Sequence, residues 1–121
     1  MNLAAAALCG FVAFEHCFFF VLEAFLWQTP YGRKTFGMDA ATSATTASLA
    51  KNQGTYNLFL AAGLVWSLFA APEFAQQLRF FFLGCVLVAA VVGAFTASKR
   101  ILVVQGAPAL AALVAVVLAR S

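Results

Sequence analysis

Charge is what this sequence has least of. Four acidic and seven basic side chains stand among 121 residues, 9% of the chain, against about a quarter in soluble domains. A fold of this size has too little interior to hide a composition that is 64% hydrophobic, so a soluble domain is excluded. Basic residues never occur more than two in a row. That excludes a nucleic-acid-binding tract and leaves the net charge of +3 as a determinant of membrane orientation. There is one histidine, and Cys9, Cys17 and Cys85 lack any C-x-x-C spacing, so neither a zinc site nor a disulfide framework is predicted, and no cofactor or metal is expected. No Lys or Arg precedes the first apolar block, which is also too long for a secretion-signal core. It is read as a retained span.

What is present is apolar sequence in blocks of membrane length. Residues 3–27, 54–71, 80–97 and 101–119 each approach the length needed to cross about 30 Å of hydrocarbon. They predict an all-α membrane protein with one domain, 1–121, whose four transmembrane helices form an antiparallel up-down bundle. Ser98-Lys99-Arg100 leaves room only for a tight turn between the last two spans. The first connection is too long to be structureless. Asp39 is placed to cap Ala40-Ala41-Thr42-Ser43-Ala44, which gives a short cytoplasmic helix between the first and second spans, with Gly54 as a bend. Arg33, Lys34, Lys51, Lys99 and Arg100 fall on one side and Arg79 and Arg120 on the other. The positive-inside rule then puts both termini outside a multi-pass protein of the inner or plasma membrane. Small residues four apart, at Ala89, Gly93 and Ala97 and at Ala107, Ala111, Ala115 and Ala119, allow close helix approach, within the chain or in a homo-oligomer.

Against this background the polar residues inside the spans need a reason. Glu15, His16 and Glu23 lie in the first span, where each charge costs about 2.5 to 3.5 kcal/mol on insertion scales. At helical spacing His16 and Glu23 fall within about 20° of each other and Glu15 lies about 80 to 100° away, so one broad face holds all three. Trp27 extends that face to the interface, where it equally suits an aromatic belt. The second span opens with Asn52-Gln53-Gly54-Thr55-Tyr56-Asn57, whose amides need partners in hydrocarbon. Gln105 precedes Gly106 and Pro108, a proline that frees the Val104 carbonyl, and Thr96 reaches the same depth.

Together these residues predict a polar cleft opening to the cytoplasm. Glu23, His16 and Glu15 are its candidate catalytic residues; Asn52, Gln53, Tyr56, Asn57, Thr96, Gln105 and Trp27 are its candidate ligand-binding residues. The expected partners are the lipid bilayer and a small, largely apolar or amphipathic molecule entering from the cytoplasmic leaflet, with no nucleic acid. Glu23 as general base and His16 or Glu15 as acid suit an isomerisation or epimerisation. Two alternatives stay open: a proton-coupled small-molecule exporter working through Glu15, and a structural protein whose polar network serves packing alone.

The Glu15-His16 pair, Glu23, Trp27, the string from Asn52 to Asn57 with Phe59-Leu60-Ala61-Ala62-Gly63-Leu64 after it, Gly93 with Thr96, and Gln105-Gly106-Ala107-Pro108-Ala109 resemble domain-of-unknown-function family 1304. The resemblance covers almost the whole chain and implies a small four-helix membrane protein, without implying a mechanism. Two further groups are similar in shape alone. The membrane-associated eicosanoid and glutathione metabolism enzymes share polar residues at the start of the second span, although their Arg-x-x-x-His-x-Asn pattern is missing here. Small multidrug resistance exporters share a glutamate midway along the first span, where Glu15 stands.

Overall fold

The structure is a computed structural model that describes residues 2–97 and 99–120, the Arg120 side chain excepted. Ser98 of the expected turn and the Arg120 charge used for orientation lie outside the described residues. Among those described, every element is helical: α1 (Leu3–Ala24), α2 (Pro30–Phe36), α3 (Ala40–Phe69), α4 (Pro72–Thr96) and α5 (Lys99–Ile101), which runs through a π-helical turn (Leu102–Gly106) into α6 (Ala107–Arg120).

Local chemistry sets the helix ends. Asn2 Oδ1 accepts from Ala5 N at 3.0 Å and caps α1. Thr29 Oγ1 accepts from Gly32 N at 3.1 Å and caps α2, with Pro30 in the first helical turn, where its missing N–H costs nothing. α2 stops at Gly37, which takes the left-handed φ of 65° as its C-cap.

The start of α3 follows expectation. Asp39 Oδ1 accepts from Thr42 N at 2.7 Å. Hydrogen bonds from Thr42 hold the exposed Asp39 carboxyl below its ordinary range. A carboxylate held low in the folded state stabilises the capped turn above the ordinary range and loses that contribution as pH falls through the folded value. Hydrogen-exchange protection at Thr42 and Ser43 should therefore drop on acidification in the wild type. In Asp39→Asn, which keeps a capping oxygen without a titrating group, it should not. Equal pH profiles for the two proteins would refute the cap.

Three boundaries differ from expectation. The helix of the first expected span, 3–27, ends at Ala24, because the chain must turn before Thr29 and Pro30 begin α2. The expected short helix and the expected second span, 54–71, form one continuous 30-residue helix, which Gly54 does not interrupt. α4 begins at Pro72, well before residue 80, so Arg79 is a buried helical residue rather than a boundary charge. Its Nη2 donates to Ser67 O at 3.3 Å and its Nε to Ser67 Oγ at 3.4 Å. Pro108 is preceded by the π-helical turn, a wider loop of backbone that accommodates the hydrogen bond the proline cannot make.

Among the described residues, three helices are long and apolar enough to cross a membrane: Leu3–Ala24, Pro72–Thr96 and Lys99–Ala119. Their outward side chains are large and apolar, among them Phe14, Val92, Phe95 and Leu118. α3 is longer than any of them, but its Ser/Thr-rich first half and its amide string dilute its hydropathy.

The chain packs as two compact units. The first joins Met1–Phe14 to Leu60–Ser121, around a core of Ala5, Cys9, Val12, Leu64, Leu83, Val86, Ala109, Ala112 and Val116. In it, Gln76 near the start of α4 donates to Val116 O late in α6, while Gly93 near the end of α4 meets Ile101, so the two helices run antiparallel. The small residues buried along them and the π-helical turn are Ala75, Ala90, Gly106, Ala109 and Ala112. The expected stripe is offset from that face, leaving Ala89, Ala97, Ala107, Ala111 and Ala119 exposed. The second unit, Glu15–Phe59, holds the end of α1, all of α2 and the first two-thirds of α3.

Candidate functional site

The site is built within the second unit, where the last turns of α1 lie against α3. On α3, Ser43, Ala47, Ala50, Gly54 and Asn57 repeat at alternating spacings of three and four and fall on one face. All are small, and all but the half-buried Ala47 are buried. A Cβ added at Gly54 would stand 3.1 Å from Glu23 Cβ and 3.3 Å from Phe20 O. The absence of that Cβ is what brings the two backbones together at the level of Glu23.

Glu23 is 5% and Asn57 7% exposed, and Asn57 Nδ2 donates directly to Glu23 Oε1. The Gln53 side-chain amide, on the preceding turn of α3, neighbours the same carboxyl. Beyond the end of α1 the chain is fastened to α3. Trp27 Nε1 donates to Thr46 Oγ1 at 3.1 Å, and the fully buried Ser43 donates from Oγ to Trp27 O at 3.0 Å. The Trp27 ring also lies 4.7 Å from that of Phe36, centre to centre. α2 can sit this close only because position 32 is glycine. A Cβ there would overlap the Leu26 carbonyl oxygen and stand 2.9 Å from Trp27 O.

A cleft of about 350 Å³ opens against this framework, lined by Glu23, Ala24, Phe25, Trp27, Gln28, Thr29, Ala47, Ser48 and Lys51. It presents a buried carboxyl with two amide neighbours, an aromatic wall and an exposed ammonium. The volume falls in the usual range for a small-molecule site, as does the mixture of apolar wall and few polar groups. A carboxyl held by amides can accept a proton from a bound molecule, and Lys51, Ser48 and Thr29 offer donors to an oxygen.

The sequence candidates divide accordingly. Glu23, Gln53, Asn57 and Trp27 come together. Asn52 and Tyr56 do not: both are exposed, Tyr56 with its ring edge-on to Phe59. At 100° per residue they lie about 160° round α3 from Gly54, so the face that meets α1 carries them outward. Glu15 is half-buried on α1, its Oε1 buried without a protein donor among the described residues. His16 is fully buried, edge-on to Phe19 at 5.2 Å. Both stand about two turns from Glu23 along α1. Thr96 and Gln105 belong to the other unit, where Thr96 Oγ1 donates to Val92 O of its own helix at 2.8 Å and Gln105 sits in the π-helical turn. Lys51, Ser48 and Thr29 escaped the sequence reading. The spacing of small residues on α3 was the available signal, since it places Lys51 about 60° from Gly54, beside the buried face.

Three helices of spanning length with an outward coat of Phe, Val and Leu define the class: a helical membrane protein. The chain belongs to the family described as protein of unknown function DUF1304, whose pattern matches residues 10–117. It is also similar to the uncharacterized protein YpaA of Lactococcus lactis subsp. lactis (strain IL1403), 28% identical over 116 residues, which cover 94% of this chain and 97% of that protein. No solved structure matches the chain significantly.

Proposed function

We propose that this is a four-span membrane protein whose cytoplasm-facing cleft takes a small, largely apolar molecule and moves a proton on it, as in an isomerisation. The observation that carries the reading is Glu23, buried with Asn57 yet lining an open cleft walled by Phe25 and Trp27. A network serving packing alone has no need of a cavity beside its carboxyl. Glu23 acts as general base, and Lys51, Ser48 and Thr29 orient a carbonyl or hydroxyl oxygen. The second part of α3 supplies the fourth span. The test is deuterium exchange at the carbon next to the carbonyl in a panel of small apolar ketones, catalysed by the purified protein in deuterated buffer. Exchange above the rate of a detergent blank supports the reading, and none across the panel overturns the proton-transfer chemistry.

Orientation follows the basic residues. With Arg79 buried, Arg33, Lys34 and Lys51 around α2 and Lys99 and Arg100 before the π-helical turn define the cytoplasmic side. Both termini are then outside. A cysteine placed at Arg33 should resist impermeant maleimide in intact cells and react after lysis; labelling of intact cells would reverse the topology.

One observation favours a second reading, proton-coupled export. The Glu15 Oε1 atom is buried without a protein donor among the described residues, as a carboxyl that exchanges partners requires. Proton flux through reconstituted vesicles that Glu15→Gln abolishes and Glu23→Gln leaves intact would favour it.

A further inference from the structure

The basic residues around α2 have a use that the cleft does not supply. α2 follows the end of an apolar helix of membrane length, and Phe25 and Tyr31 on either side of the turn are 68% and 56% exposed. Its inner face is taken by Gly32 against Leu26 and by Phe36 against Trp27. At helical spacing Lys34 lies opposite that contact and Arg33 on its flank, about 80° round the helix. Arg33 is half-buried, and its Nε is buried without an acceptor among the described residues. A buried charged donor left without an acceptor is costly, and its planar fork suits a phosphate. Lys34 and Lys51 add two exposed ammonium groups. The one carboxylate in this stretch, Asp39, is occupied in capping α3.

We infer that α2 is a headgroup site for anionic phospholipid. The Arg33 guanidinium and the Lys34 ammonium hold the phosphate, Lys51 adds to the local positive potential, and Tyr31 and Phe25 lie along the upper acyl chain. The occupant is a membrane lipid rather than free phosphate because the basic groups are bracketed by exposed aromatic side chains at the end of an apolar helix, where ring and headgroup share a depth. The inference does not depend on the cleft chemistry.

The full chain in detergent, offered phosphatidylcholine alone or an equimolar mixture with phosphatidylglycerol, tests it by native mass spectrometry. The wild type should retain phosphatidylglycerol selectively, and Arg33→Gln should lose about fivefold of that preference. Lys34→Gln should lose a smaller part, and Arg33→Lys should recover some of it as a single point charge. Tyr31→Ser should weaken retention with the charges unchanged. Equal retention of the two lipids by the wild type overturns the inference, as does a preference that survives Arg33→Gln and Lys34→Gln together. Displacement of the lipid by millimolar inorganic phosphate would show a free-anion site and overturn the lipid assignment. Should Arg33→Gln fail to fold, Lys34→Gln and the phosphate competition decide the question without it.

Discussion

Ketone exchange should fall by roughly 10²–10⁴-fold in Glu23→Gln, in a protein that still folds. Glutamine fills the same space and its carbonyl oxygen can accept from Asn57 Nδ2, so the helix contact survives while the proton acceptor is lost. Glu23→Ala differs in kind. It strands the Asn57 amide, 7% exposed, without its acceptor, at a cost of about 1–3 kcal/mol in stability. Glu23→Ala combined with Asn57→Leu, which removes both polar groups, should recover part of that loss. Thermal unfolding in detergent reads the stability and isotope exchange reads the chemistry. Unchanged exchange in Glu23→Gln would reduce the carboxyl to a packing element.

A single methyl group at position 32 is expected to do more structural damage than any change at the cleft's polar groups. The Cβ of Gly32→Ala would overlap the Leu26 carbonyl oxygen and crowd Trp27 O. Both are backbone atoms, so no side-chain rotation relieves the clash. Either α2 lifts from the turn or the turn leaves α3, and each movement breaks the contacts that hold Trp27 at the cleft. The expected cost is about 3 kcal/mol, the upper end for overpacking. Trp27 emission should shift to the red in a Trp66→Phe background, with ligand-dependent signals lost. Gly37→Ala is a useful contrast. Its φ of 65° strains any L side chain, yet a Cβ there meets nothing within 4 Å. It should fray the end of α2 and leave the cleft in place. A Gly32→Ala protein with wild-type emission and melting would show that the turn has room the packing denies.

Much of the site was written in local sequence. Glu23 and Asn57 stand out because a carboxyl and an amide in apolar helices must find partners, and each found the other. Asp39 announced its cap by position alone, since an N-cap depends on four consecutive residues. The α2 helix was missed because seven residues carry too little periodicity to read. Its signals, Thr29 and Pro30 before it and Gly37 after it, are punctuation rather than pattern.

Composition and helical period determined the class, the helical content and the short set of polar residues worth following, because span length and hydropathy are sums over neighbours in the chain. Only the tertiary structure decided which of those residues meet. Asn52 and Tyr56 share a string with Gln53 and Asn57 and still face outward, while Lys51 joins the cleft and Arg79 turns inward to Ser67. The rotation of a helix about its axis is set by the partner it packs against. At the level of Glu23 it is Gly54 of α3 that turned toward α1, since close approach of two backbones is possible only where side chains leave room, and that choice fixed where Lys51, Asn52 and Tyr56 could point.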